Sequence, residues 1–184
     1  MAETVFRNIR LAHVHLFEPT SYEAGPLKYS ASIVIPKDDT ENLQVALDAI
    51  EAAKQAAIAK GFLVVKKAKG TPGPLRDGSI EFAEGKRGKE FDNTWFFNAR
   101  DDAKPSTVDI YGRPITDPKE MYSGANYHVI VQFYYAKKGK RIAAALKHVL
   151  KVSDNERWDD VIQTTPEEAF GDLIQTLDDS NSAF

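Results

Sequence analysis

Several separate stretches of the chain carry the apolar pattern of strands, and one carries a helical period. Thr4–Phe17 (TVFRNIRLAHVHLF) is rich in β-branched and apolar residues and predicts a long strand. Its apolar phase shifts between Ile9 and Val14, which predicts a bulge or sharp curl. After a loop at Pro19–Pro26, Lys28–Pro36 (KYSASIVIP) alternates cleanly: Tyr29, Ala31, Ile33 and Ile35 share one face, Lys28, Ser30 and Ser32 the other. That is a strand with one wet face. Leu43, Ala46/Leu47, Ile50, Ala53 and Ala57/Ile58 then recur at helical spacing, with Asp38, Asp39 or Thr40 available as a cap and Gly61 as a stop.

Lys66 to Lys89 is dense in Gly, Pro, Lys and Arg and is expected to be loop. Strand signals resume at Thr94–Arg100 and Thr107–Tyr111, and Gly112-Arg113-Pro114 and Asp117-Pro118 punctuate the connection that follows. Asn126–Ala136 and Lys140–Val152 predict two more strands, joined closely enough at Lys137-Lys138-Gly139 for a hairpin. No internal repeat is present. The expected fold is mainly β: a five-stranded antiparallel barrel like the oligonucleotide-binding (OB) fold, with one inserted helix and a disordered acidic C-terminal tail. The expected division is a binding domain at 1–153 and the tail at 154–184.

Charge changes the picture. The 184 residues carry a net charge of −3. From Asp154 onward there are nine acids and one base, a balance of −8, whereas the first 153 residues hold 18 acids and 23 bases, a balance of +5. A basic body joined to an acidic tail is the distribution of a polyanion binder. With no cysteine, thiolate chemistry and disulfides are excluded. No apolar run reaches transmembrane length and Met1–Arg10 lacks the apolar stretch of a secretory signal, so the expectation is the cytoplasm, with no membrane partner.

Catalytic signatures are absent. Glu84-Gly85-Lys86-Arg87-Gly88-Lys89 lacks the four-residue gap and the Ser/Thr of a phosphate loop and reads as a basic surface loop. His13 and His15 share a strand face, yet no third ligand stands at metal-site spacing, and His128 and His148 are isolated. Asp101-Asp102 and Asp159-Asp160 lie in polar contexts that suit solvated loop and tail better than a nuclease metal site. The expectation is a non-enzyme without metal or cofactor.

What recurs is aromatic beside basic. Trp95, Phe96 and Phe97 run to Arg100; Tyr111 precedes Arg113; Phe133, Tyr134 and Tyr135 run into Lys137, Lys138, Lys140 and Arg141. Single-stranded nucleic acid asks for this pairing, since unpaired bases stack on rings while Lys and Arg meet phosphates. Alternation assigns Phe133 to the core and Tyr134 to the ligand side. On the Trp95 strand, Phe96 lies with Asn98 and Arg100 while Trp95 and Phe97 lie with Ala99, and the pattern leaves either face as the wet one. The expected contact residues are Lys28, Lys66, Lys67, Lys86, Arg87, Trp95, Phe96, Arg100, Tyr111, Arg113, Tyr122, Tyr134, Lys137 and Lys138.

From about Ser106 the chain resembles a family of single-stranded DNA-binding proteins of tailed bacteriophages, long catalogued as a domain of unknown function. The resemblance lies in Gly112-Arg113-Pro114-Ile115-Thr116-Asp117-Pro118, in Met121-Tyr122-Ser123-Gly124, in the strands QFYYA and KGKRIAAALKHVLKV, and in Glu167–Asp172. It departs at Ala125-Asn126, where a small residue or Cys and an aromatic are more typical, and in a Lys/Arg-rich hairpin. The N-terminal half matches by layout more than by motif. The resemblance implies an OB fold that binds single-stranded DNA without sequence specificity or catalysis, serving phage replication, recombination or repair. It also implies a tail handle, with Asp178, Asp179 and Phe184 taken up by replication or repair proteins. A homodimer is a further expectation. The rival expectations are a phage structural or interaction module that binds no nucleic acid, and a nuclease or recombinase subunit using the aspartates.

Overall fold

The computed structural model describes residues 2–64, 73–158 and 173. Seven strands form one sheet: β1 (Thr4–Thr20), β2 (Lys28–Pro36), β3 (Arg76–Asp77), β4 (Thr94–Asp101), β5 (Ser106–Val108), β6 (Asn126–Ala136) and β7 (Arg141–Ser153), in the order β3-β4-β2-β1-β6-β7-β5. Among the described residues two α-helices accompany them, α1 (Thr40–Ala59) and α2 (Gly78–Ala83). The long strands β1, β2, β4, β6 and β7 close into a five-stranded barrel because β4 also pairs with β7. That is the expected OB-like barrel, with one correction. The closing pair, Ala99 opposite Ala144, is parallel, while the other four barrel pairings are antiparallel. The seam is short, and β3 and β5 extend the sheet on either side of it, β3 along the start of β4 and β5 parallel to the later part of β7.

Three phenylalanine rings meet inside the barrel. Phe97 lies 5.4 Å from Phe6 and 5.3 Å from Phe133, centroid to centroid, at tilted angles that aromatic pairs favour. Around them stand Leu11, Ile33, Ile35, Val129, Val131 and Leu146, all essentially without exposed surface. Helix α1 packs Ala46 and Ile50 onto this core against β1, β6 and β7.

The start of α1 is fixed by its own sequence. Asp39 caps it by accepting from the Asn42 N–H at 3.1 Å, and Gly61 ends it at φ +83°. Asn42 also ties the helix to β1: its amide donates to the Arg7 carbonyl at 2.8 Å, and the Arg7 N–H donates back to it at 3.2 Å. Beyond that clasp the β1–β6 register shifts between Phe6 and Ile9, with Asn8 at φ +50°. The curl predicted between Ile9 and Val14 is a second irregularity, between Ala12 and His15 on the β2 side, centred on His13 at φ +49°.

Two segments depart from expectation. The Lys66–Lys89 loop contains β3 and α2, the latter capped by the Asp77 carboxylate through the N–H groups of Ser79 and Ile80. A six-residue helix is too short to print a period on the sequence. At the other end, residues 154–158, expected to begin the tail, lie against the barrel. Arg10 donates to the carbonyls of Gly124 (2.6 Å) and Glu156 (2.7 Å), with its guanidinium 3.7 Å above the Trp158 ring. Trp158 N–H donates to Ser123. Gly124, at φ +105°, has to be glycine here, since a β-carbon would collide with the Glu156 carbonyl.

The Asn42 clasp is buried and satisfied on both sides. Asn42→Ala is expected to destabilise the fold by about 1–3 kcal/mol, read as a lowered midpoint in urea with an unchanged slope.

Candidate nucleic-acid interface

The ladder between β2 and β4 runs unbroken from Tyr29 opposite Asp101 to Pro36 opposite Thr94. Period two therefore sorts both strands at once. Ala31, Ile33, Phe97 and Ala99 point into the barrel, while Ser30, Ser32, Val34, Phe96, Asn98 and Arg100 point out. The wet face of the Trp95 strand is thus the one carrying Asn98 and Arg100.

Outside this ladder is a groove of about 460 Å³. Its floor is Ser30, Ser32 and Asn98, with the Ser32 hydroxyl donating to Asn98 Oδ1 at 2.6 Å. One wall is His13 and His15 of β1, and the loop 21–27 adds Tyr22. Lys28, Arg87 and Arg100 supply three positive charges, and no carboxylate lines the groove among the described residues. Tyr22 is largely exposed, with the Arg100 guanidinium 5.3 Å from its ring. Ring, cations and polar floor are what a strand of unpaired bases on a phosphate backbone needs.

The bulge at His13 turns its imidazole flat against Phe91, 5.6 Å away and 15° from parallel. Partial burial there, then the nearby Arg87, hold this imidazole below its ordinary value; Glu90 opposes and His15 adds to the lowering. Burial also lowers His15. Both shifts favour the neutral imidazole. His13 and His15 both line the groove, and among the described residues no group of three or more His, Cys, Asp or Glu is placed to hold a metal ion.

Of the fourteen expected contact residues, the groove gathers Lys28, Arg87 and Arg100. Phe96 is a correction. Though it points outward on β4, it has no exposed surface, because Phe91, Val34 and Ala12 pack on it, with the Arg76 and Arg87 guanidiniums each 5.2 Å from its ring. A base cannot stack on it. Trp95 belongs to the inner register opposite Ile35 and packs on the core, with Lys37 above it.

The others lie on separate surfaces. Tyr134 and Lys137 border a second, mostly apolar cavity beside α1 that shares no residue with the groove. There Tyr135 stacks on Phe62 at 4.8 Å, and Lys138 is exposed at the hairpin turn. Tyr111 and Arg113 stack on each other in the loop after β5, organised by the Asp109 carboxylate. Tyr122 holds the 154–158 segment, its hydroxyl donating to Asp154 and accepting from the Asn155 N–H. Lys86 is exposed and paired with Glu84. Lys66, Lys67, Asp159, Asp160, Asp178, Asp179 and Phe184 lie outside the described residues. The aspartates Asp101 and Asp102 pair with Lys147 and Lys28.

Sequence reasoning missed Tyr22, His13, His15, Ser30, Ser32 and Asn98 as groove residues. The Ser30/Ser32 signal was visible as the wet face of β2. Tyr22 had none beyond sitting in the loop that joins β1 to β2. No helix of the described residues is long and apolar enough to cross a membrane.

A closed barrel with this strand order, and a cation-lined groove outside its second and third long strands, defines an OB-type barrel of the oligonucleotide-binding class. A sequence model of the family described as "Enterobacter phage Enc34, ssDNA-binding protein" matches residues 2–181, and the chain belongs to that family. No curated protein matches it. Among solved structures, the single-stranded DNA-binding protein from bacteriophage Enc34, as a C-terminal truncation, is similar with a TM-score of 0.65 at 25% identity, over 85% of this chain and 88% of that one. The Enc34 protein in complex with ssDNA gives 0.64 at 25% identity, over 85% and 89%. Gp2.5, a single-stranded DNA binding protein encoded by bacteriophage T7, gives 0.53 at 14% identity over 96% and 97%, a likeness of fold alone.

The sign of the pH effect follows from the two imidazoles. Their lowered values mean that the folded protein binds fewer protons than the unfolded chain, so stability is lost as pH falls through the ordinary value of 6.5. Bound phosphate reverses the preference, so affinity for oligo(dT) is expected to rise as pH drops from 8 to 5.5. His13→Gln with His15→Gln should remove most of that rise, measured by fluorescence anisotropy at constant salt.

Proposed function

We propose that this protein binds single-stranded DNA in the β2–β4 groove without sequence specificity and without catalysis, in the replication, recombination or repair of phage DNA. The observation that carries this reading is the groove itself: three cations, two imidazoles and an exposed tyrosine over a polar floor, with no carboxylate lining it among the described residues. Family membership and the Enc34 relative solved with ssDNA support it. In this reading Lys28, Arg87 and Arg100 take phosphates, Tyr22 stacks on a base, and Ser30, Ser32 and Asn98 offer hydrogen bonds to whatever base edge arrives. The acidic segment ending Leu177-Asp178-Asp179-Ser180-Asn181-Ser182-Ala183-Phe184 serves as the handle for replication or repair proteins, and competes electrostatically with DNA for the basic body.

A mobility shift with oligo(dT) and with duplex, at two salt concentrations, tests the function. The single strand should be preferred, and its affinity should fall as salt rises because phosphate contacts release counterions. Binding of neither probe would favour the scaffold reading, and cleavage on adding Mg²⁺ the nuclease reading.

Within the site, Tyr22→Ala should cost about 1–3 kcal/mol of binding if its ring stacks on a base. Tyr134→Ala and Lys137→Ala with Lys138→Ala probe the second cavity and the hairpin turn. A larger loss there than at Tyr22 and Arg100 would move the site to the hairpin.

Deleting Asp172–Phe184 removes three acids. The truncated chain is expected to fold and to bind oligo(dT) as well as or better than the full chain, most visibly at low salt. Phe184→Ala alone should leave DNA affinity unchanged and abolish capture of partner proteins from infected-cell lysate. Lost stability in that variant would make the tail part of the fold.

A further inference from the structure

Arg87 stands apart from the other two groove cations. Lys28 and Arg100 are borne by barrel strands, whereas Arg87 sits on a long side chain in the turn after α2. Its guanidinium nevertheless lies against the outer cluster, 5.4 Å from the Phe91 ring and 5.2 Å from Phe96. Glu81 on α2 stands beside it, with Oε1 3.9 Å from Arg87 Nε.

Glu81 is an expensive residue to keep. It is 7% exposed, its Oε1 is in short contact with Arg76, and its Oε2 is buried without a hydrogen-bond partner. A buried carboxylate with an unmet oxygen is poor evidence of a stabilising role, since an apolar side chain would often serve stability as well or better. Two arginines nonetheless converge on it, both over the Phe96 ring. Without the carboxylate, they would repel each other from the same small platform. Burial and the neighbouring Arg76 both work against the charge on Arg87, and Glu81 is the main group that opposes them.

We propose that Glu81 is a positioning residue of the groove: it holds Arg87 against Phe91 and Phe96 so that a DNA phosphate meets a guanidinium already in place. The proposal rests on reading the groove as the single-stranded DNA site. A pre-placed donor fork binds more tightly than a free side chain because its rotamers are already restricted.

The sign of one substitution separates positioning from simple charge. Glu81→Gln keeps the size and an acceptor oxygen but removes a negative charge near the groove. If Glu81 acts only as a nearby charge, this variant of the full-length chain binds oligo(dT) more tightly. Positioning predicts the reverse, weaker binding by about threefold to tenfold, as preorganisation is lost. The slope of log affinity against log salt should then fall toward that of Arg87→Ala, which is expected to lose about 0.7 for one phosphate contact. The double variant should bind no more weakly than Arg87→Ala alone. If Glu81→Gln melts below the assay temperature, Arg76→Met with Glu81→Met replaces the buried pair as a whole, and the same weakening is expected. Unchanged or tighter binding in the Glu81 variants, with Arg87→Ala weakened, overturns the positioning role and leaves the groove reading intact. Arg87→Ala with unchanged affinity and slope overturns the positioning role and removes Arg87 from the DNA site as well.

Discussion

The unbroken β2–β4 ladder is the constraint on which the rest depends. Eight residues of each strand face one another without a bulge, so one periodicity sets both the barrel core and the groove. A slip of a single residue would drive Phe97 and Ala99 outward and Asn98 and Arg100 into the core. The aromatic trio of Phe6, Phe97 and Phe133 forbids that slip, because no other register places Phe97 between its two partners. Packing inside the barrel thereby fixes the chemistry outside it. The neighbouring strand β1, by contrast, carries irregularities, and one of them delivers His13 to the groove wall.

A second, smaller cluster completes the outer surface. Phe91, Phe96, Val34 and Ala12 are apolar groups on the wrong side of the barrel wall, and a core cannot be left open to water. They are covered from two directions. The turn after α2 brings Arg87 over the rings, and the 154–158 segment brings Trp158, itself held by Arg10. The outer cluster thus joins one rim of the groove to the anchored root of the acidic segment.

Much of this was legible in the sequence. KYSASIVIP announced its wet and dry faces, a cap among Asp38, Asp39 and Thr40 with the Gly61 stop bounded α1, and the phase shift in β1 marked the bulge. The Trp95 strand was ambiguous because both of its faces carry aromatics. What resolves it is Phe91, brought back over the Phe96 ring by the turn before β4, and Trp158, far along the chain, and the alternation within β4 carries no trace of either. The same holds for Tyr134. The pattern placed it off the core face, but the neighbour it meets there is set by how α1 packs. Charge and ring content pointed to a polyanion binder, the class its family also has, while the assembly of Lys28, Arg87, Arg100 and Tyr22 into one groove required the barrel to close.

The central claim is that the outer β2–β4 face carries the DNA. Photocrosslinking the full-length protein to an oligonucleotide of 5-iodouracil, followed by peptide mapping, addresses it directly. Adducts are expected on Tyr22 and on His13 or His15, and they should disappear when unmodified oligo(dT) competes. Adducts concentrated instead on Tyr134, Tyr135 or Phe62, with the groove residues unlabelled, would contradict the account.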